Sequence, residues 1–437
     1  MREPIDVDLL TRVEGEGSIH LRFGADGLDA VEFRIGEAPR MFEALLVGRS
    51  MHEVPDIVAR ICGICPVAHQ VTACLALEAG AEVEVPEATR RLRDLLYLGE
   101  WISSHALHLF LLEVPDHLGV PDVFHLARDN PRLVEDGFAL KKLGDALAAA
   151  VGGRAVHPVN VRPGGFFTHP DRAGLCDLVP RLEEGLERME RHLDALVAHP
   201  LPELSRPLPH VAVRGASGYP LSEGWITSTG GSSIPASGFS GHFAEHQVPG
   251  SNALHCRLDG QVYATGPLAR LLLGFDRLLP RARSAARRMG FTPNDRLALP
   301  FWTGRARAVE ILHALEAAQA AIEAGIPTPA APSAPWPPGR PGSGAAATEA
   351  PRGMLVHRYT WDDAGRILTA RIVPPTSQNL GAIEADLRAL GPRLLAGDRD
   401  AAVHLAERAV RNHDPCISCA THLVTVDWGE ARPARAR

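Results

Sequence analysis

The chain has 437 residues, of which 45% are hydrophobic and 22% are charged, and its formal net charge at pH 7 is -7. This length and hydrophobic content allow at least one large buried core, so we expect a globular protein. The mild acidity provides no basic surface for a phosphate backbone, which argues against nucleic acid as a partner.

The N-terminal sequence MREPIDVDLL carries acidic residues where a secretory signal has an apolar run. No later stretch reaches the ~18 uninterrupted apolar residues of a membrane span. We therefore expect a cytoplasmic protein with no membrane span. Thiols stay reduced in the cytosol, so the seven cysteines are better explained by metal binding, catalysis or burial than by disulfides.

The predicted elements begin with a β-hairpin over residues 18–35, where apolar and polar side chains alternate around Asp26-Gly27. A long apolar helix follows from about residue 88 and breaks near Pro115. The other predicted elements are helices over 175–198, 267–289, 305–325, 382–395 and 399–412 and a second hairpin over 354–373. The expected fold class is therefore mainly α with small β elements, an α+β fold.

Residues 327–348, PTPAAPSAPWPPGRPGSGAAAT, are rich in Pro, Ala and Gly. This composition predicts a flexible surface loop, because it cannot bury enough apolar area to become ordered. Such a loop could mark a domain boundary. We nevertheless assign residues 1–437 to a single domain, because the chemistry suggested below requires residues from both ends of the chain in one place.

Two pairs of cysteines stand near opposite ends of the chain, in RICGICPVAHQ (60–70) and DPCISCATH (414–422). One C-x-x-C pair alone is compatible with a disulfide, a redox dithiol or part of a metal site. Four thiolates can bind zinc or an iron–sulfur cluster, but small zinc modules usually bring both pairs from within a few tens of residues. A site that joins both ends of this chain therefore indicates a buried central metal core.

The two boxes resemble those of the large, catalytic subunit of nickel-iron hydrogenases. The matching patterns are R-x-C-G-x-C-x-x-x-H, from Arg60 to His69, and D-P-C-x-x-C-x-x-H, from Asp414 to His422. Further segments with the same resemblance are TRVEGEG (11–17), PRMFEALLVGR (39–49), SHALHLFLLEVPD (104–116) and APRGMLVH (350–357). GGRAVHPVNVRPGGF (152–166) and HFAEHQVPGSNALHC (242–256) are most similar to the soluble cytoplasmic bidirectional class, which is coupled to nicotinamide nucleotide or deazaflavin.

The resemblance implies the fold of that family, a central bundle of long helices in which the metal site joins the N- and C-terminal cysteine boxes. It implies that Cys62 and Cys416 bind nickel terminally and that Cys65 and Cys419 bridge nickel to iron. The other iron ligands would be carbon monoxide and cyanide. Dihydrogen is a very weak acid, so its cleavage needs a Lewis-acidic metal with a base beside it. The implied activity is the reversible heterolytic cleavage of H2 to protons and electrons.

The resemblance also implies roles for residues around the metals. Arg352 matches an arginine that lies over the metal pair and contacts a cyanide ligand. Asp116 and Asp414 match two acids that fix and tune this arginine. Pro375 and Thr376 match positions that line the second cyanide, where Thr376 would offer a hydroxyl donor.

Glu14 matches the proton-relay residue of the family. Heterolysis would leave a proton on the Cys416 thiolate, and a carboxyl group within hydrogen-bond reach could accept it and pass it outward. In an alternative, Arg352 rather than the Cys416 thiolate accepts the first proton. The sequence does not decide between these two acceptors. In the family this segment usually ends in glycine and histidine, whereas this chain has Gly15-Glu16-Gly17. Glu16 is therefore a competing carboxylate, and we expect it to be solvated.

Glu43 and His422 match a second site for a hard divalent metal, usually magnesium, which water and a main-chain carbonyl would complete. His69 lies four residues after Cys65, on the same face of the expected helix. We expect it to donate or accept a hydrogen bond beside the metal cluster. The alternative is a core histidine whose hydrogen bonds serve packing only.

The chain offers no second set of iron–sulfur ligands, so the electrons released at the metal site must leave through a partner. We expect that partner to be an iron–sulfur small subunit. Beyond it we expect nucleotide-reducing subunits that contain flavin and iron–sulfur clusters. No G-x-G-x-x-G follows a predicted strand, so the chain itself is not expected to bind NAD. The family removes a C-terminal extension once nickel is loaded, and residues 423–437 extend past the last histidine. We therefore predict a cleavable extension, with maturation factors and a C-terminal endopeptidase as partners.

Three alternatives remain at this point. The quinone-site subunit of a respiratory complex shares the fold, but that relative lacks the metal-binding cysteines. A hydrogen-sensing regulatory subunit would carry the same site with little turnover. A non-enzymatic scaffold stabilised by zinc or an iron–sulfur cluster on four cysteines is the third, and elemental analysis would identify it.

Overall fold

The computed structural model describes residues 3–24, 27–292, 299–325, 333–337 and 339–421. Its strands are β1 (Ile5–Val7), β2 (Gly17–Phe23), β3 (Leu28–Ile35), β4 (Val161–Arg162), β5 (Gly165–Phe166), β6 (His210–Arg214), β7 (Trp225–Ser228), β8 (Ser233–Ile234), β9 (Phe243–Gln247), β10 (Leu254–Leu258), β11 (Ala264–Thr265), β12 (Gly342–Ala350), β13 (Gly353–Trp361) and β14 (Ile367–Val373). Its α-helices are α1 (Phe42–Leu46), α2 (Val54–Val58), α3 (Pro66–Ala81), α4 (Glu87–Ala106), α5 (Val114–Leu118), α6 (Val123–Asp129), α7 (Pro131–Gly152), α8 (Arg172–Cys176), α9 (Val179–Arg191), α10 (Leu193–Ala198), α11 (Phe239–His242), α12 (Pro267–Gly274), α13 (Pro280–Arg288), α14 (Thr303–Glu323), α15 (Pro375–Ala389), α16 (Gly391–Ala396), α17 (Arg399–Asn412) and α18 (Ile417–Ala420). The mainly α class with small β elements is confirmed.

The long helices α4, α7 and α14 pack side by side in the largest hydrophobic cluster of the described residues. Two glycines allow α4 and α7 to approach closely. A Cβ on Gly144 would lie 2.5 Å from the carbonyl oxygen of Gly99, so a larger residue at that crossing would separate the helices. Burial of these helices, rather than their propensity, stabilises the centre of the fold.

The helix that begins at Glu87 continues as a π-helical segment, Leu107–Glu113, and then as α5. Pro115 lies in the first turn of α5, where a missing backbone N–H is tolerated, so the irregularity precedes the proline. The stretch Glu87–Leu118 is long and apolar enough to cross a membrane by length and composition, and 83% of its most apolar window is buried inside the protein. Such burial is what a core helix requires.

The predicted hairpin over 18–35 is confirmed as β2 and β3, which pair antiparallel beside β1. Its buried face packs against α15 and α17 in a second hydrophobic cluster, which includes Ile19, Phe33, Leu380 and Ile417. This packing brings the N-terminal segment against the C-terminal helices. It places Glu14 beside Cys416, in an isolated parallel bridge.

The second predicted hairpin is also confirmed, as β13 and β14. The predicted loop over 327–348 is wrong for its last residues, because β12 occupies Gly342–Ala350 and pairs with β13. β12 lies against α3, and a Cβ on Gly344 would lie 1.9 Å from the carbonyl oxygen of Ala76. Small residues therefore serve close strand-to-helix packing here. Residues 326–332 and 338 of this region lie outside the described residues.

Several predicted helices are interrupted. The prediction over 175–198 corresponds to α8, α9 and α10, that over 267–289 to α12 and α13, and that over 382–395 to α15 and α16. Proline explains the restarts, since Pro180, Pro280 and Pro392 each lie in the first turn of a new helix. The predictions over 305–325 and 399–412 match α14 and α17 closely.

Candidate metal centre

Four cysteine side chains from opposite ends of the chain meet at one buried point. The Sγ atoms of Cys62, Cys65, Cys416 and Cys419 all lie within 4.8 Å of one another. The separation is 3.3 Å between Cys62 and Cys416, 3.5 Å between Cys65 and Cys419, and 2.9 Å between Cys416 and Cys419. None of the four residues is exposed by more than 4%. The prediction that the two boxes join at one site is confirmed.

Local structure places both boxes at helix starts. Cys62 follows the 3-10 helix Ala59–Ile61 in an extended conformation, and the Ile64 N–H donates to its sulfur at 3.2 Å. Cys65 is the N-cap residue of α3, and Cys416 is the N-cap residue of α18. The backbone N–H that donates to the Cys62 sulfur favours the thiolate form of that residue.

The four sulfurs are a donor set for a soft metal ion. Hydrogen bonding with Cys416 lowers the pKa of Cys62 well below that of an ordinary thiol. Burial raises the pKa of Cys416 and Cys419, because further negative charge in this enclosed space is costly without a cation. Soft thiolates suit nickel and iron, so the residues present fit a nickel-iron pair.

Arg352 is a basic side chain whose charge acts on the sulfurs, and it is only 3% exposed. Its Nε donates to the carbonyl oxygen of Asp414 at 2.9 Å, and its Nη2 donates to Asp414 Oδ1 at 3.1 Å. Its Nη1 is buried and has no hydrogen-bond partner among the described residues. Asp414 therefore contacts Arg352 directly.

Asp414 is held in an unusual conformation. Its φ of 51° lies in the left-handed region, which few residues other than glycine adopt and which is common at functional sites. Burial favours the neutral acid, but Arg352 and then His108 outweigh this effect and lower the pKa of Asp414 below its ordinary value. The carboxylate is thus charged and matched to the arginine.

Asp116 forms hydrogen bonds with two arginines other than Arg352. Its carboxylate accepts hydrogen bonds from Arg411, at 2.8 and 2.9 Å, and from Arg12 at 2.5 Å. Among the described residues no hydrogen bond joins Asp116 to Arg352, and the predicted role of Asp116 near Arg352 stays a prediction. The bond to Arg411 joins α5 to α17, and the bond to Arg12 joins α5 to the N-terminal segment.

Glu14 lies against the second cysteine box. Its carbonyl oxygen accepts from the Ile417 N–H at 3.0 Å, and its Oε2 accepts from the Ser418 N–H at 3.0 Å. The Ser418 hydroxyl contacts Glu14 Oε1 and also Glu37 Oε1, the latter at 3.1 Å. Glu16 is exposed, in keeping with a solvated carboxylate.

Thr376 also contacts the second box. Its Oγ1 accepts a hydrogen bond from the Cys416 N–H at 2.9 Å, which leaves the hydroxyl hydrogen available for another acceptor. Pro375 is the first residue of α15 and places Thr376 in the first turn of that helix. Both are close to the second box through this contact.

His69 is 1% exposed, and its Nδ1 lies 3.2 Å from His357 Nε2. His357 Nδ1 in turn lies 2.6 Å from the Tyr359 hydroxyl. The ring of His69 therefore joins α3 to β13. This contact is compatible with both the role beside the cluster and the packing role considered above.

Glu43 is 6% exposed and accepts the Ile372 N–H at 2.6 Å. It is three residues from Arg40, whose N–H donates to the Thr421 carbonyl oxygen at 2.9 Å. The Arg40 side chain also donates to carbonyl oxygens of Ile61, at 2.6 Å, and of Ser418. His422 lies outside the described residues, so its predicted metal role stays a prediction.

Sequence reasoning missed Glu100, a buried residue of α4 that is 4% exposed. Its two carboxyl oxygens accept the N–H groups of Val67, at 2.7 Å, and Ala68, at 3.1 Å, shortly after Cys65. Burial raises the pKa of Glu100 well above its ordinary value. The available signal was an acidic residue within the otherwise apolar stretch LLYLGEWI.

Comparison with known proteins gives a consistent result. The family described as nickel-dependent hydrogenase matches residues 40–170 and 253–422. The alpha chain of sulfhydrogenase 1 from Pyrococcus furiosus is 32% identical over 426 residues, covering 96% of this chain and 98% of that protein. The alpha chain of sulfhydrogenase 2 from the same organism is 32% identical over 429 residues, covering 96% of this chain and 99% of that protein.

Among solved structures, an NAD+-reducing NiFe hydrogenase in the H2-reduced state has a TM-score of 0.85 and 28% sequence identity, covering 96% of this chain and 100% of that chain. The Ni-Fe-Se hydrogenase from D. vulgaris Hildenborough shares the fold, with a TM-score of 0.81 at 21% identity over 97% of this chain and 100% of that chain. Together with the buried four-sulfur centre, these matches show that the chain belongs to the nickel-dependent hydrogenase family and is the catalytic large subunit of a nickel-iron hydrogenase.

Proposed function

We propose that this protein cleaves H2 reversibly at a nickel-iron pair held by Cys62, Cys65, Cys416 and Cys419. The observation that carries the proposal is the convergence of four buried sulfurs within 4.8 Å. Cys62 and Cys416 would bind nickel alone, and Cys65 and Cys419 would bind both metals. When bound, the metal pair supplies the Lewis acid that polarises H2 and the acceptor for its electrons.

The test of this ligand set is the replacement of one bridging cysteine. Cys419→Ser exchanges a soft sulfur for a harder oxygen, so we expect loss of nickel and of H2 oxidation in the assembled complex. Metal analysis of the purified complex and H2 uptake measure these two results. Retention of nickel and activity in this variant would contradict the assignment, and zinc in place of nickel in the wild type would favour the four-cysteine scaffold.

Carbon monoxide and cyanide on iron are part of the proposal. Arg352 Nη1 is a buried donor without a partner in the described part of the chain, and such groups normally have one. The hydroxyl hydrogen of Thr376 is likewise available, since its oxygen accepts from Cys416. These two donors suit cyanide ligands. Pro375, which precedes Thr376 in α15, would line the same ligand as Thr376. Infrared stretching bands of both diatomic ligands in the purified complex would test this assignment.

Glu14 is the proposed proton relay. A proton released at the Cys416 sulfur would pass to the Glu14 carboxyl group, which acts as base and then as acid. The Ser418 hydroxyl contacts both Glu14 and Glu37, so it offers the next step toward solvent. The side chains of Glu14, Ser418 and Glu37 in this route are hydrogen-bonded to one another.

Glu14→Gln tests the relay, because the amide fills similar space but cannot shuttle a proton at neutral pH. We expect unchanged nickel content and a strongly slowed exchange between H2 and deuterated water. The exposed Glu16→Gln is the matched control and should exchange at the wild-type rate. Unchanged exchange in Glu14→Gln would move the relay to Glu16 or Arg352.

A magnesium ion at Glu43 and His422 is the proposed second site. Its support is the burial of Glu43 and the hydrogen bond that holds Thr421 beside Arg40, three residues from Glu43. Glu43→Gln should lower the magnesium content of the complex with nickel still bound. An equal magnesium content in the wild type and in Glu43→Gln would refute the site.

An iron–sulfur small subunit is the proposed electron acceptor, with flavin- and iron–sulfur-containing subunits that reduce NAD(P) beyond it. The support is that related proteins are named as alpha subunits, and that one similar structure is an NAD+-reducing enzyme. We also propose a cytoplasmic location and a single domain. Residues 423–437 are the proposed maturation extension, removed by an endopeptidase. Co-purification of the subunits from the native host would identify the partners.

A further inference from the structure

The helix that carries Cys65 lacks the usual cap at its start. An N-cap side chain normally accepts the N–H groups of the second and third helical residues. Cys65 is the N-cap residue of α3 and makes no such bond. Its sulfur is instead part of the four-sulfur group, 3.5 Å from Cys419 Sγ. The N–H groups of Val67 and Ala68 therefore need another acceptor.

Glu100 supplies that acceptor from a different helix. Its Oε2 lies 2.7 Å from the Val67 nitrogen and its Oε1 lies 3.1 Å from the Ala68 nitrogen. These are the second and third residues of α3, the positions that an N-cap side chain would serve. Glu100 is buried with only 4% exposure, so water does not replace its carboxyl group readily.

The second cysteine box is built in a similar way. Cys416 is the N-cap residue of α18 and also makes no capping bond with its side chain. The N–H of Ser418, the second residue of that helix, donates to Glu14. In both boxes, a glutamate from elsewhere in the chain caps the helix, and the sulfur of the N-cap cysteine takes no part in the capping.

We propose that Glu100 is a positioning residue of the metal centre, which caps α3 in place of Cys65 and so holds the Cys65 sulfur toward the other three. This inference rests on the proposed assignment of the four cysteines as metal ligands. Residues that orient metal ligands typically change metal affinity when they are replaced. Loss of this cap would let the first turn of α3 shift and the Cys65 sulfur move with it.

Glu100→Gln is the test variant, since its amide oxygen can accept only one of the two N–H groups and its amide nitrogen faces the other. In the complex purified from its own host at limiting nickel, we expect about tenfold less nickel per chain than in the wild type. The nickel that remains should show a shifted electron paramagnetic resonance spectrum. Glu100→Asp, which keeps the carboxyl group but shortens the reach, is the second variant and should show a smaller shift.

Glu78→Gln is the matched control. Glu78 lies in α3, the helix that Glu100 caps, is 3% exposed, and also accepts a backbone N–H, from Gly164 at 2.6 Å. We expect this control to lose stability but to keep the wild-type nickel spectrum. Equal nickel loss and equal spectra in the Glu78 and Glu100 variants would overturn the inference, as would wild-type nickel and spectrum in both Glu100 variants. Retention of nickel by Cys419→Ser would instead refute the ligand assignment itself.

Discussion

Replacing Arg352 with lysine isolates the contribution of the guanidinium nitrogen that has no partner among the described residues. In the wild type, Nε and Nη2 bind Asp414, and Nη1 makes no hydrogen bond within the described part of the chain. Lysine keeps a positive charge beside the buried Asp414 carboxylate, so the fold and the metals should be retained. One ammonium group cannot both bind Asp414 and reach the position of Nη1, because it lacks the planar fork of arginine.

The magnitude follows from the loss of one fixed donor at a water-excluded reaction site. Such a loss typically lowers turnover by about 10²–10³, which corresponds to about 3–4 kcal/mol in the activation barrier. The assay is H2 oxidation with an artificial electron acceptor, with each rate divided by the bound nickel. The division separates slower chemistry from poorer metal loading.

Arg93→Lys is the control, because Arg93 is also buried and forms a two-pronged contact with Glu78, at 2.8 and 2.6 Å. This variant should lose stability and keep its turnover per nickel. A loss of less than about threefold in Arg352→Lys would show that Nη1 is not used in the reaction. An equal loss in both variants would also refute the reasoning.

Three further predictions concern packing, pH and maturation. Gly344→Ala should destabilise the protein by about 1–3 kcal/mol, because the added Cβ would meet the Ala76 carbonyl oxygen. Gly36→Ala is the control, because a Cβ at that position enters open space. The midpoints of urea unfolding measure the stability of both variants. Burial lowers the pKa of four histidines from the ordinary value of 6.5 to about 4. These residues are His105, His210, His255 and His313. Below pH 6.5 the unfolded chain therefore binds protons at these histidines that the folded chain excludes, so each should lower stability from pH 7 to 5 by up to about 1.4 kcal/mol per pH unit. Burial raises the pKa of Glu100, Asp94 and Glu349, which acts in the opposite direction, so the test compares the wild type with His313→Gln, whose melting temperature should depend less on pH. An equal pH dependence in both proteins would contradict the prediction. If residues 423–437 are a maturation signal, the intact mass of nickel-loaded protein from its own host should lack them, and an active full-length chain with nickel would exclude cleavage.

Local sequence patterns predicted the elements that depend on neighbouring residues. Alternation indicated both hairpins, and a helical period indicated α14 and α17, because these signals arise within one turn or one strand pair. The errors occurred where distant packing decides. The Gly/Ala-rich stretch after residue 341 forms β12 because α3 leaves room there only for small side chains.

The four sulfur donors of the proposed metal centre were identified from the sequence, because both C-x-x-C pairs and their family resemblance are visible there. The choice of acids around those ligands was decided by tertiary structure. Glu100 is 33 residues from Val67, and Glu14 is 404 residues from Ser418, so no local spacing indicates that these acids cap the cysteine helices. Asp116 was placed near Arg352 by resemblance, and only the packed structure shows that its carboxylate binds Arg12 and Arg411. A buried carboxylate binds the donors that the folded chain places within about 3 Å of it, and only the packed structure determines which donors those are.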